Sequence, residues 1–78
     1  MDLADLYTST ADEALTAARS LDNPADRAFA LSNIGGNLTE PTRTDVFTEA
    51  VEAARLVDDP KSQAQSLMAV TSSIRRAL

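Results

Sequence analysis

Two ten-residue stretches hold many of the side chains that could do chemistry. They are Arg19–Ala28, RSLDNPADRA, and Arg55–Ala64, RLVDDPKSQA, and they lie 36 residues apart. Each places acid before a proline: Asp22 ahead of Pro24, and Asp58 with Asp59 ahead of Pro60. Carboxylates grouped at a turn attract a cation or a basic peptide. A dedicated calcium loop needs oxygen ligands at alternate positions closed by a bidentate glutamate, and neither stretch has that spacing. The remaining reading of Asp22, Asp58 and Asp59 is as helix caps, with a basic protein partner as the functional alternative.

Covalent chemistry has little to draw on. There is no cysteine and no histidine, so thiol chemistry, disulfides, imidazole acid–base catalysis and the usual zinc ligands are excluded. A nucleophile would be a Ser or Thr activated by a lysine or a carboxylate. The single lysine, Lys61, falls in the first turn of an expected helix, exposed to water. Paired carboxylates work as acid and base only in a pocket that perturbs them. Gly35 and Gly36 in NIGGN lack the preceding strand and the Lys-Ser/Thr of a phosphate-cradling loop. They read better as a close approach of another helix, or as a loosened helix end. The expectation is no catalytic residue, no metal, no cofactor and no small-molecule substrate: the chain is not an enzyme.

Composition narrows the partners. Residues 1–38 hold six acids and two arginines; residues 39–78 hold six acids and five bases, for a net charge of −5. An acidic chain repels phosphate backbones, so nucleic acid is not an expected partner. No apolar run approaches the roughly 20 residues that cross a membrane. The opening MDLADLY is acidic where a signal peptide is basic, which points to the cytoplasm. Arg75 and Arg76 complement the dipole of the last helix.

The elements that must position these side chains follow from the repeated phrase. Sliding the chain by 36 and comparing residues 13–38 with 49–74 gives nine identities in 26 positions. Among them are Glu13/Glu49, Ala17/Ala53, Arg19/Arg55, Asp22/Asp58, Pro24/Pro60 and Leu31/Leu67. A period of this length marks a repeat of small supersecondary units. In the first unit Leu3, Leu6, Tyr7, Thr10, Ala14, Ala17, Ala18 and Leu21 recur at helical spacing. Val46, Phe47, Ala50, Ala53, Ala54 and Val57 do the same in the second. Asn23 and Asp59 are good N-caps, and Pro24 and Pro60 suit the first helical position. The residue before a proline is pushed out of helical geometry, which ends the helix ahead of it. The second helices then carry Ala28, Ala30, Leu31, Ile34, Gly35 and Leu38, matched by Ala64, Leu67, Val70, Thr71, Ile74 and Leu78.

The predicted fold is all-α: two tandem antiparallel helical hairpins with helices at about 2–21, 24–37, 44–57 and 60–76. They stack as a short αα-superhelix or close as a four-helix bundle. Residues 1–78 form one domain, with repeat one at about 1–38, a linker at 39–43 and repeat two at about 44–78. Thr10 with Glu13 also has the form of a capping box, which would start the first helix near residue 10; the continuous helix is preferred.

At this point the chain resembles HEAT-type repeats. Asp-x-Pro-x-x-Arg followed by A-x-A-L-x-x-I-x-x-L reads here Asp22, Pro24, Arg27, Ala28, Ala30, Leu31, Ile34, Leu38. The helix-pair logic is also similar to tetratricopeptide repeats, without their large aromatic and glycine positions. The second unit departs from the HEAT-like pattern, with Gln63 where Arg27 stands. What the resemblance implies is an αα-superhelix that acts as a scaffold for protein contacts.

Single residues refine that expectation. Phe29 sits on the far side of α-helical residues Ala30, Ile34 and Leu38, and its counterpart is Gln65. It is a candidate partner contact, or else it packs on a neighbouring helix. Leu15 and Val51 suit stacking of unit on unit. Met68 reads as a core gap-filler. Ser62, Gln63, Gln65, Ser66, Ser72 and Ser73 read as a water-facing surface. Arg19 and Arg55 complement the helix dipole and can pair with the Asp three residues on. Two units are fewer than the three or so that repeat arrays need for stability, so self-association or membership of a longer array is expected. The expected function is a non-enzymatic protein-interaction or scaffold module. The alternatives are a structural or engineered two-repeat fragment, and a small acidic regulator of a basic partner.

Overall fold

Turn chemistry sets where the second and fourth helices begin. The structure, a computed structural model, describes the backbone of residues 3–78 and the side chains of residues 11–78. The stripe positions Leu3, Leu6, Tyr7 and Thr10, and a start at residue 2, lie outside what is described. The described residues form four helices: α1 (Leu3–Arg19), α2 (Pro24–Gly35), α3 (Thr42–Arg55) and α4 (Pro60–Ala77).

The two hairpin turns are copies of one another. Asn23 has φ −76° and ψ 120°, and Asp59 has φ −75° and ψ 123°. Asn23 Oδ1 accepts from the N–H groups of Ala25 and Asp26 at 2.9 and 3.2 Å. Asp59 Oδ2 accepts from the N–H of Ser62 at 2.9 Å. Both caps therefore satisfy donors that a helix start leaves orphaned. Asn23→Ala should cost about 1 kcal/mol, read as a lowered urea midpoint with an unchanged slope.

The helix ends differ from expectation by one or two residues. α1 and α3 stop at Arg19 and Arg55 rather than 21 and 57. Leu21 and Val57 donate to Ala18 and Ala54, three residues back, so the last turn tightens before the extended cap. α2 stops at Gly35 rather than 37, and α4 runs one residue beyond 76. α3 begins at Thr42 rather than 44, because Pro41 already holds φ −86° and ψ −6°. The linker is therefore 36–41 rather than 39–43. α1 passes through residue 10 unbroken, so Thr10 does not start a helix.

α2 packs against α1, α3 and α4, and α3 packs against α4. Among the described residues α1 is not paired with α4. That is the packing order of two hairpins laid side by side in a small helical bundle. The Cα positions span 46 × 27 × 13 Å, a slab about two helices thick. Its core holds Leu15, Ala18, Ala28, Leu31, Val46, Ala50, Ala54 and Val70. Small residues let α2 and α3 come close. A Cβ on Gly35 would lie 3.0 Å from two ring carbons of Phe47 and 3.3 Å from Val46 Cγ1.

Several side chains face differently from expectation. Met68 is 69% exposed, not a core filler. Ala17, Ala64 and Thr71 are exposed, whereas Ser73 is 6% exposed, not water-facing. The reason is position in the stack. α2 has neighbours on two sides and buries a wide arc. α4 has them on one, so its inner face turns to Leu67, Val70, Ser73 and Ile74.

Candidate functional site

The acidic turns have a structural job. Asp59 caps α4 through two bonds from Ser62, one from the N–H and one from the hydroxyl, both at 2.9 Å. The backbone bond first, and then the hydroxyl, hold its carboxyl below the usual range. Asp22 and Asp58 sit exposed in the equivalent turns. The residues four beyond the caps complete the pattern. Arg27 Nη1 donates to the carbonyl of Leu21 at 2.9 Å. Gln63 Nε2 donates to the carbonyl of Arg55 at 2.9 Å. Gln63, at the position where the first hairpin has Arg27, thus does the same job. Both side chains fasten the second helix to a carbonyl at the end of the first, a role the sequence reading did not assign.

Phe29 is 59% exposed. It borders a groove between α2 and α4 with Ala25, Asp26, Ser62, Gln65 and Ala69. The groove encloses about 300 Å³. The structure therefore brings Phe29 together with Ser62, the cap partner of Asp59, and adds Asp26. It does not bring Asp22 or Asp58 into the lining of that groove. Small residues on both walls leave the phenyl ring as its one large apolar group.

A second groove was not foreseen. It runs along the outer side of α3 and α4, lined by Phe47, Val51, Arg55, Ile74 and Leu78 among others, and encloses about 420 Å³. The one sequence clue was the matched pair Leu15 and Val51, 36 residues apart; the structure buries Leu15 and leaves Val51 half-buried on this groove. Arg43 closes one end, donating through Nη1 to the carbonyl of Ala77 at 3.1 Å.

Arg19 does not pair with Asp22. Its guanidinium meets Glu49 of α3 in a fork, at 2.8 Å from Nε and 2.7 Å from Nη2. This pair bridges the two hairpins. The guanidinium hydrogen bonds hold the Glu49 carboxyl below its ordinary range, against the opposing effect of burial. A depressed acid stabilises the fold above its unfolded-state value and loses that contribution as pH falls through the folded one. Both partners are more than a third exposed, at 49% and 35%, so solvent screens the pair to about 0.5 kcal/mol. Melting curves from pH 7 to about pH 3 should show that loss below about pH 4.3 in the wild type and not in Glu49→Gln.

Among the described residues no group of three His, Cys, Asp or Glu is placed to hold a metal, and no helix is long and apolar enough to cross a membrane. Compared with protein-family models, curated proteins and solved structures, the chain matches none.

Proposed function

We propose that this chain is a non-enzymatic protein-interaction module built of two helical repeat units. The observation that carries this reading is the placement of Phe29. A phenylalanine exposed beside a groove of small side chains is the form of an interface anchor, since aromatic residues concentrate binding energy. Asp26 on the groove wall and the nearby Asp59 turn give its rim an acidic character. The occupant that fits is a peptide segment with an apolar side chain flanked by Arg or Lys. The matched turns and the 36-residue correspondence support the repeat-unit part of the reading.

A displayed-peptide selection tests it. Apolar–basic peptides should be retained by the wild type and lost with Phe29→Gln, the residue found at the counterpart position. Binding that survives high salt points to the apolar anchor. Binding abolished by salt, with Phe29→Gln unaffected, favours a small acidic regulator acting through Asp22, Asp58 and Asp59. No retained peptide above background would sink both and leave a structural fragment.

A further inference from the structure

The 36-residue correspondence pairs residues that are buried in one hairpin with residues that are exposed in the other. In α2, Ala28, Leu31, Ser32 and Gly35 are buried. Their counterparts in α4 are Ala64, Leu67, Met68 and Thr71. Leu67 is half-buried and the other three are exposed. α3 closes on the first set, as the approach of Phe47 and Val46 to Gly35 shows. Among the described residues no element closes on the second.

The other end of the stack carries the opposite half. In α3, Phe47, Ala50 and Ala53 are buried. Their counterparts in α1 are Ala11 and Ala14, half-buried, and Ala17, exposed. The ion pair follows the same rule. Arg19 and Glu49 join across the internal interface. Their counterparts, Arg55 and Glu13, are both exposed, and neither forms an ion pair among the described residues.

We infer that the chain self-associates head to tail. The face of α3 and α4 around Val51, Arg55, Leu67 and Met68 receives α1 of a second copy, in the register α3 already uses on the first hairpin. Glu13 of one copy meets Arg55 of the next, as Glu49 meets Arg19 within one chain. This inference rests on the reading of the chain as repeat units, but it uses a face other than the Phe29 groove. Such a contact is heterologous, and copies add without closing unless the rotation happens to make a ring.

Sedimentation equilibrium of the chain, up to about millimolar concentration, tests it, with circular dichroism to confirm that each variant folds. The wild-type average mass should rise past the dimer without a plateau. Arg55→Glu and Glu13→Arg should each weaken association by about tenfold or more, and the double exchange should restore it. Met68→Asp, at a site exposed enough to spare the fold, should weaken it too, and Phe29→Gln should leave it unchanged. A folded monomer throughout would overturn the inference, as would a plateau at the dimer mass or a double exchange that fails to recover. Association broken by Phe29→Gln and not by Arg55→Glu would move the contact to the groove. The peptide selection reports on Phe29 independently, so the two readings fail separately.

Discussion

Leu31→Ala lowers the unfolding free energy by about 3 kcal/mol and the melting midpoint by roughly 12–24 °C. Leu31 is 1% exposed and belongs to the core shared by both hairpins. Truncating it removes apolar contact and leaves a cavity in α2, the helix that packs on α1, α3 and α4. The surrounding alanines cannot swing in to fill the gap, since they have no rotatable side chain. A chain of this length has a total stability of only about 4–12 kcal/mol, so the loss is a large share of it. Met68→Ala is the control. Met68 is 69% exposed, and its truncation should change stability by no more than about 0.5 kcal/mol. Equal losses in thermal melts of the two variants would contradict the packing of α2 at the centre.

The second large effect is at Gly35, where the sign carries the information. Helix propensity alone makes Gly→Leu favourable by close to 1 kcal/mol at an exposed helical site. At Gly35 the Cβ meets the Phe47 ring at 3.0 Å, and the added isobutyl group has to displace α3. Overpacking of this kind costs about 1–3 kcal/mol, so Gly35→Leu should be destabilising by about 2 kcal/mol net. Gly36 is the internal comparison. Its φ of −61° and ψ of −21° suit any L-residue, and a Cβ there meets only carbonyl oxygens at 3.6 and 3.7 Å. Gly36→Ala should therefore stabilise by about 0.4–1 kcal/mol, by restricting the unfolded chain. Pairing Gly35→Ala with Phe47→Leu should recover more than the single changes add to, because the two share one contact. Urea unfolding of the four single variants and the double reads all of this, and a stabilised Gly35→Leu would mean that α3 does not close on α2.

The hairpins were legible because their signals are local. Asn23-Pro24 and Asp59-Pro60 cap and start a helix through bonds that span two or three residues, so the same words give the same φ and ψ 36 residues apart. Ends were less legible, since the tightened turns at Leu21 and Val57 depend on how the cap meets the next helix. The site was legible only in part. Phe29 could be picked out because helical period alone puts it off the apolar stripe of α2. Arg19 could not be assigned to Glu49, because two cations and several acids lay within reach along the chain and only stacking selects among them.

By itself the sequence determined the all-α class, the four helices and the caps between them. Each rests on propensity, periodicity and hydrogen bonds within a few residues. Only the tertiary structure decided which copy of a repeated position is buried. Ala28 and Ala64, or Ala53 and Ala17, are the same residue in the same local phrase. Burial is a property of neighbours, and among the described residues α2 and α3 have a hairpin packed against them on the side where α4 and α1 have none.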